Sequence, residues 1–209
     1  MTIGKMKIEA LKLMYLNLRD IHEDQLDEMG ADINYSDYLS GMPGAINRAL
    51  RQIVARQILP VKSRVIRLQE GEKTNEVYRF DLSSMISDYY NVSGVIRSRE
   101  VIGEERIDYG IEGDALLLYR PDEKSTYRVV YHPNLPIVTS GTLDTMDVAM
   151  PEELASLVPY FIKADLYSKD NEDAASQALA RFEAGVAEYA ARPRAGERKR
   201  VVTKFGLGW

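Results

Sequence analysis

The chain has 209 residues, is 45% hydrophobic, carries a net charge of −5 and contains no cysteine. It is long enough for one substantial core, or for a small helical domain that carries a second module. The lack of cysteine excludes disulfides, thiolate metal sites and cysteine nucleophiles, and no apolar run approaches the roughly 20 residues that a membrane span needs. We therefore expect an intracellular or particle-bound protein.

The charge is unevenly distributed along the sequence. Residues 192–209 hold six basic residues and one acid, a charge of +5 that leaves −10 for residues 1–191. An acidic body resists nonspecific binding to nucleic acid, whereas a basic tail is attracted to an acidic surface of a partner or of a neighbouring copy.

Two helices are predicted before residue 60. The first runs from Ile3 to about Leu18, with Thr2 as its N-cap. A polar, acidic connector follows. The second helix begins at Pro43, a favoured first-turn residue, and ends before Pro60. Apolar residues at helical spacing give each helix one buried stripe: Met6, Ala10, Leu13 and Met14 in the first, and Ile46, Leu50, Ile53 and Val54 in the second.

Residues 60–140 change to short β-rich runs, several with alternating polarity. The segments EGEKTN, IEGD and PDEKS between them have the composition of turns. Residues 81–90 fit a short helix or a loop. We predict an antiparallel module of five or six strands, forming a sheet or a sandwich.

Two further amphipathic helices are predicted after Pro151, joined by a short acidic turn at residues 170–173. Their apolar stripes are Leu154, Leu157, Val158, Phe161, Ile162 and Leu166, then Ala175, Ala178, Leu179, Phe182, Val186 and Tyr189.

The predicted fold class is α+β. Residues 1–59 and 141–192 form an antiparallel bundle of about four helices, because each helix has an apolar face that must be covered. Residues 60–140 are an inserted β module, and residues 193–209 form an extended C-terminal arm.

The arm carries the strongest functional signal in the sequence. It combines basic residues with exposed aromatic ones, and Arg and Trp are frequent interface anchors. Extended, its 17 residues can reach roughly 50 Å. The alternative is a disordered terminus. The residues of this docking arm are Arg192, Arg194, Arg198, Lys199, Arg200, Lys204, Phe205, Leu207 and Trp209.

Six other cations on the predicted helices are candidates for contacts between subunits. Each could instead pair with acids one turn away or lie on a solvated helix face. They are Arg48, Arg51, Arg56, Lys163, Lys169 and Arg181.

No catalytic motif is present. His22 and His132 lack the spacing of a zinc protease, and the sequence has neither a phosphate-binding glycine loop nor a nucleophile elbow. We expect no enzymatic activity, no cofactor and no metal. An alternative is a carbohydrate-binding or carbohydrate-cleaving β module with paired carboxylates. Its candidates are Asp81, Asp88, Glu104, Glu105, Asp108 and Glu112.

Two stretches resemble a known family. One is the helix PGAINRALRQI, and the other is PEELASLVPYFIKADLYSKDNEDAASQALARFEAGVAEY. Together with the helix–β–helix order, they resemble the head-to-tail connector, or adaptor, proteins of tailed bacteriophages, and are similar to the tail tubular and gatekeeper-type proteins of short-tailed phages.

The resemblance implies a structural protein of the virion neck, made in the host cytoplasm. Such proteins form a ring, usually dodecameric, beneath the portal protein, and double-stranded DNA passes through the ring without specific binding. They also contact tail or nozzle proteins, and their C-terminal arms insert into the portal. In this chain that role would fall to residues 192–209. An unrelated host scaffold with the same helical layout is the remaining alternative.

Overall fold

The computed structural model describes residues 1–15, 18, 21–99 and 103–192, apart from the side chain of Asn34. It confirms the α+β class. The helices are α1 (Ile3–Met14), α2 (Leu26–Ala31), α3 (Ile33–Ala55), α4 (Leu82–Met85), α5 (Glu152–Ala155), α6 (Val158–Tyr167) and α7 (Glu172–Ala191). The strands are β1 (Lys62–Ile66), β2 (Glu72–Thr74), β3 (Val77–Asp81), β4 (Tyr89–Arg99), β5 (Gly103–Ile107), β6 (Gly110–Glu112), β7 (Ala115–Tyr119) and β8 (Thr126–Pro133).

Helix α1 begins where the sequence predicted. The side chain of Thr2 accepts a hydrogen bond from the backbone N–H of Lys5 at 3.1 Å, which satisfies a donor that the first helical turn leaves free. The helix ends at Met14 rather than near Leu18. The backbone of Tyr15 is already extended, and this residue packs instead against α3 through its ring.

The predicted start of the second helix at Pro43 is wrong. Pro43 lies inside α3, which begins ten residues earlier, at Ile33. A proline there removes one hydrogen bond within the helix. The segment nevertheless stays helical because its earlier turns are covered, with Tyr35 and Tyr38 half-buried against the core and Met42 fully buried. Part of the predicted polar connector is therefore structured.

The predicted third helix is divided into α5 and α6. Pro159 is the second residue of α6, a first-turn position where its missing N–H costs nothing, and this favours a new helix start after the short α5. Helix α6 is the centre of the helical part, since it packs against α1, α3 and α7. This position explains why it carries so many buried residues.

Helix α7 follows the acidic turn as predicted. The side chain of Asn171 caps it by accepting from the N–H of Ala174 at 3.0 Å. Phe182 and Val186 are fully buried, and the Phe182 ring contacts that of Phe161 edge-on at 5.0 Å. Leu179, which was predicted in the buried stripe, is instead 36% exposed.

The β region forms two four-stranded antiparallel sheets rather than five or six strands. The first sheet has the order β1-β8-β4-β5 and the second β2-β3-β7-β6. The additional strands β2 and β6 have three residues each, too few to show an alternating pattern. Residues with positive φ form two of the tight connections, Asn75 between β2 and β3 and Gly113 between β6 and β7.

The two sheets face each other across a shared core, which makes the region a β-sandwich. Its centre includes Phe80 and Leu116 from the second sheet and Tyr127 and Val129 from the first, all at most 1% exposed. A separate core fills the space between the helices and includes Ile3, Ile46, Ile53, Ile162 and Phe182.

The chain returns from the sandwich to the helices through residues 134–150. The N–H groups of Ile3 and Gly4 donate to the carbonyls of Met146 and Asp144, both at 2.9 Å. These bonds attach the start of α1 to the returning segment. No helix in the described part of the chain is long and apolar enough to cross a membrane.

Candidate assembly surfaces

The base of the C-terminal arm is held on the helical part. Arg192 follows α7 directly, and its guanidinium lies 3.4 Å from a carboxylate oxygen of Glu188 and 3.9 Å from one of Glu153. The same guanidinium lies over the ring of Tyr189, 5.6 Å from its centre. These contacts fix the point from which the arm departs.

The other predicted arm residues lie outside the described part of the chain. They are Arg194, Arg198, Lys199, Arg200, Lys204, Phe205, Leu207 and Trp209. Their docking role stays a prediction.

Two of the six candidate interface cations make contacts within the chain. The Nε of Arg48 donates to Asp165 at 2.8 Å and its second nitrogen reaches the other carboxylate oxygen, a two-pronged bond between α3 and α6. This bond raises the pKa of Arg48. Lys163 donates to the carbonyl of Leu13 at 2.7 Å and so ties α6 to the end of α1. Both cations serve the helical packing of one copy.

The remaining four candidates, Arg51, Arg56, Lys169 and Arg181, are exposed. Within the described residues none of them forms an ion pair, whereas the Arg48 side chain is 53% exposed but already bound to Asp165. The structure does not gather them into one patch, because Arg51 and Arg56 lie at the end of α3 whereas Lys169 and Arg181 lie near and on α7.

Exposed apolar residues beside α3 were missed in the sequence. The segment 134–137 runs along α3 and forms a groove that Arg51 borders. In this groove Ile137 is 70% exposed and Tyr90 is 42% exposed. The sequence signal was the apolar pair Ile137–Val138 directly after a proline, in a segment without periodicity. Such exposed apolar side chains are typical of a surface that another protein covers.

A second groove lies between α3, α6 and α7. Its floor contains Phe161 and the exposed Leu179, and its rim carries Asp165 and Glu172. Because Arg48 already binds the Asp165 carboxylate, the acid that this rim leaves for another chain is Glu172.

The carboxylates of the carbohydrate alternative are mostly bound to other groups. Glu104 pairs with Arg128 at 2.6 Å, and Glu105 and Glu112 pair with Arg97 and Arg79. Each of these three acids therefore already serves the packing of the sandwich.

Asp81 and Asp88 are also engaged. Asp81 caps α4, and the bonds that it accepts from Ser83 and Ser84 lower its pKa. Burial tends to raise the pKa of Asp88, but its bonds to Lys62 and Tyr131 outweigh this effect and lower it. A general acid needs a raised pKa. The described geometry therefore gives these two carboxylates no such role.

No group of three or more His, Asp or Glu side chains in the described residues has the arrangement of a metal site. The exposed cations and the two grooves are features of the described residues that a second chain could contact.

Comparison with known families agrees with this interpretation. The family model of the SU10 adaptor protein matches residues 1–203. No curated protein sequence matches the chain. The match confirms the predicted resemblance to phage head-to-tail adaptors, while the finer similarity to tail tubular or gatekeeper-type proteins stays a prediction. A structural role in the virion, in contact with other head or tail proteins, follows from it. From residue 1 to residue 203, the chain belongs to the SU10 adaptor protein family.

Proposed function

We propose that this protein forms a dodecameric ring beneath the portal of a phage head, extends the channel for DNA and presents a platform for tail or nozzle proteins. The observation that carries the proposal is the family match, which covers both cores and reaches into the arm.

The arm is the part of the chain that we propose docks into the portal. Its base is fixed by Arg192 on α7, so the arms of a ring would all leave at equivalent positions. Aromatic anchors at Phe205 and Trp209 and the basic run Arg198–Lys199–Arg200 suit an apolar groove with acidic borders. Because many arms would bind together, each could be weak while the ring holds strongly.

The charge of the body supports a passage for DNA without binding. Residues 1–191 carry −10, and a wall of that sign repels phosphates. Residues 192–209 hold six of the 27 basic residues with only one acid, and docking would occupy them.

The test is truncation after Arg192, because this leaves both cores and the base of the arm intact. The purified protein would be mixed with the portal protein from the same genome and weighed by mass photometry. We expect the full chain to form a complex and the truncated chain to stay free, while both give the same circular dichroism spectrum. A truncated chain that binds the portal as well as the full chain would contradict the role of the arm.

Paired substitutions separate the two kinds of arm contact. Replacing Phe205 and Trp209 by serine should abolish the complex at any salt concentration. Replacing Arg198, Lys199 and Arg200 by glutamine should weaken it and reduce its dependence on salt, since those contacts are screened.

No specific observation favours the carbohydrate alternative.

A further inference from the structure

The first sheet of the sandwich has two edges of unlike charge. Its outer strands are β1, with the sequence KSRVI, and β5, with the sequence GEERI. In the described residues, each of them pairs with one neighbouring strand only. Such an edge presents unpaired N–H and C=O groups that can bind another strand. Edge β1 has two basic residues and no acid, whereas β5 has two acids and one base.

The two edges run in opposite directions. Every neighbouring pair in the order β1-β8-β4-β5 is antiparallel. Since the sheet has four strands, β1 and β5 point opposite ways. If one copy is placed beside the next in the same orientation, β5 of the first copy lies antiparallel to β1 of the second. The alternation of the sheet then continues across the boundary.

The side-chain faces of the two edges also match. Ile66 of β1 is in the core, and Ile107 of β5 packs against that core opposite Val95. When the two five-residue strands overlap completely, the residues Lys62, Arg64 and Ile66 lie opposite Ile107, Glu105 and Gly103. All six then belong to the core-facing side of the sheet.

The other residues of this register fall on the outer face. Ser63 lies opposite Arg106, and Val65 lies opposite Glu104. The side chain of Arg106 lies across Gly94 on that face, with its Nε 3.5 Å from where a Cβ of Gly94 would be. Val65 is 52% exposed in the single copy. Pairing would cover this apolar side chain.

We propose that β1 of one copy pairs antiparallel with β5 of the next, so that the first sheets of neighbouring copies form one continuous sheet. This inference rests on the proposed ring and names a contact that holds it together. The partner is a second copy of this chain, recognised chiefly through backbone hydrogen bonds and the Ser63–Arg106 position. Within each copy Glu105 already pairs with Arg97 and Arg64 donates to the carbonyl of Met85, so an Arg64–Glu105 contact between copies would add to these contacts.

Charge selects the unlike edges. In the same full-overlap antiparallel register, two β1 edges would place Arg64 opposite Arg64, and two β5 edges would place Glu105 opposite Glu105. Like charges that face each other across strands are unfavourable. The contact is therefore head-to-tail, and a head-to-tail contact produces a ring when its rotation closes.

The test uses the absence of cysteine from the chain, which removes any background in crosslinking. A double variant with Ser63→Cys and Arg106→Cys places the two thiols directly opposite each other between copies. After assembly, with the portal protein where it is required, the sample is treated with a short bis-thiol crosslinker and run on a denaturing gel. We expect a ladder of dimers, trimers and larger species. Each single variant should remain monomeric on the gel.

A matched control keeps Ser63→Cys and adds Ile111→Cys, an exposed position on the edge strand of the other sheet. It should give no ladder. A ladder from the control equal to that of the double variant would overturn the register, and dimers from Ser63→Cys alone would overturn the head-to-tail pairing.

Mass photometry of the same samples separates this proposal from the proposed function. Rings without a ladder on the gel would overturn the proposed strand pairing but would agree with the proposed ring. No assembly of the unmodified chain, alone or with the portal protein, would overturn both.

A pair of substitutions at Ser63 provides a second measurement without thiols. Ser63 is exposed, so both variants should fold like the original chain. Ser63→Glu would face Arg106 with an opposite charge, whereas Ser63→Lys would face it with a like charge. We expect the dissociation constant of each contact between copies to be roughly 1.4- to 5-fold higher for Ser63→Lys than for Ser63→Glu, so that assembly of the lysine variant needs a higher protein concentration. Equal assembly, or the reverse order, would contradict the register.

Discussion

At the scale of single residues, a group of four tyrosines joins three helical segments. The ring of Tyr15 contacts those of Tyr35 and Tyr38 edge-on, at 5.1 and 6.0 Å, and Tyr38 contacts Tyr167 at 5.9 Å. The hydroxyl of Tyr167 donates to the carbonyl of Met14 at 3.0 Å. Burial, and then the neighbouring tyrosines, raise the pKa of Tyr15 to about 12. The cluster thus favours the neutral, protonated form of the Tyr15 hydroxyl.

This cluster predicts a loss of stability at high pH. In the unfolded chain Tyr15 releases its proton near its ordinary pKa of about 10, whereas the folded chain retains it to about pH 12. The unfolded state is therefore favoured progressively as the pH rises between these values. We expect Tyr15→Phe to lose less stability than the original chain between pH 9 and about 11, measured by urea denaturation. The difference between the two chains at neutral pH is the control for packing, and equal slopes with pH would contradict the prediction.

At the scale of elements, the segment after β8 is attached to α3 by one side chain. The amide of Asn47 donates to the carbonyl of Val138 at 2.7 Å and accepts from the N–H of the same residue at 2.8 Å. Val138 is only 2% exposed. Asn47 thus gives the Val138 backbone the two hydrogen bonds that a neighbouring strand would otherwise supply. The sequence placed Asn47 on a helix but gave no sign of its partner, which is 91 residues away.

Removal of this amide should be costly. Asn47→Ala leaves a buried N–H and a buried C=O without their partner, and we expect the free energy of unfolding to fall by about 1–3 kcal/mol. Asn47→Asp keeps an acceptor for the Val138 N–H, but at neutral pH it sets a carboxylate oxygen against the Val138 carbonyl, so it should be destabilised as well. It should recover stability at acidic pH, where the protonated carboxyl can donate. The measurement is urea denaturation of all three chains. An alanine variant as stable as the original would mean that water replaces the amide at no cost.

At the scale of the whole molecule, the chain has two separate hydrophobic cores. The core of the helices draws on residues both before and after the sandwich, whereas the core of the sandwich comes from residues 66–131 alone. The predicted division at residues 60 and 140 separates most of the two cores, but Leu135 and Val138 of the helical core lie before residue 140. The edge pairing proposed for β1 and β5 would then join the sandwiches without involving the helices.

This division predicts that residues 60–140 fold by themselves. We expect the isolated segment to give a β-type circular dichroism spectrum and to unfold cooperatively, because its core is complete. Residues 1–59 are the matched control and should be largely unfolded alone, since the stripes of α1 and α3 are covered by α6. An unfolded 60–140 segment would show that the sandwich depends on the helices.

Local patterns were enough to predict much of the fold. The cap at Thr2, the stripe of α7 around Phe182 and the change to alternating polarity after residue 60 each depend on neighbouring residues, and the structure confirms them. The charge contrast between body and arm is likewise a property of the sequence alone. The two quoted stretches also predicted the family.

Only the tertiary structure decided what depends on distant partners. Pro43 stays within α3 because burial of the flanking turns outweighs one lost hydrogen bond, and no local signal reports that burial. The three-residue strands β2 and β6 exist because longer strands offer them an edge. Arg48 and Arg51 look alike in sequence and are both exposed, yet Arg48 is bound to Asp165, whereas Arg51 borders a groove and has no ion pair in the described residues. Local periodicity determines which residues face a core, but contacts between elements determine which charges and edges are left for another chain.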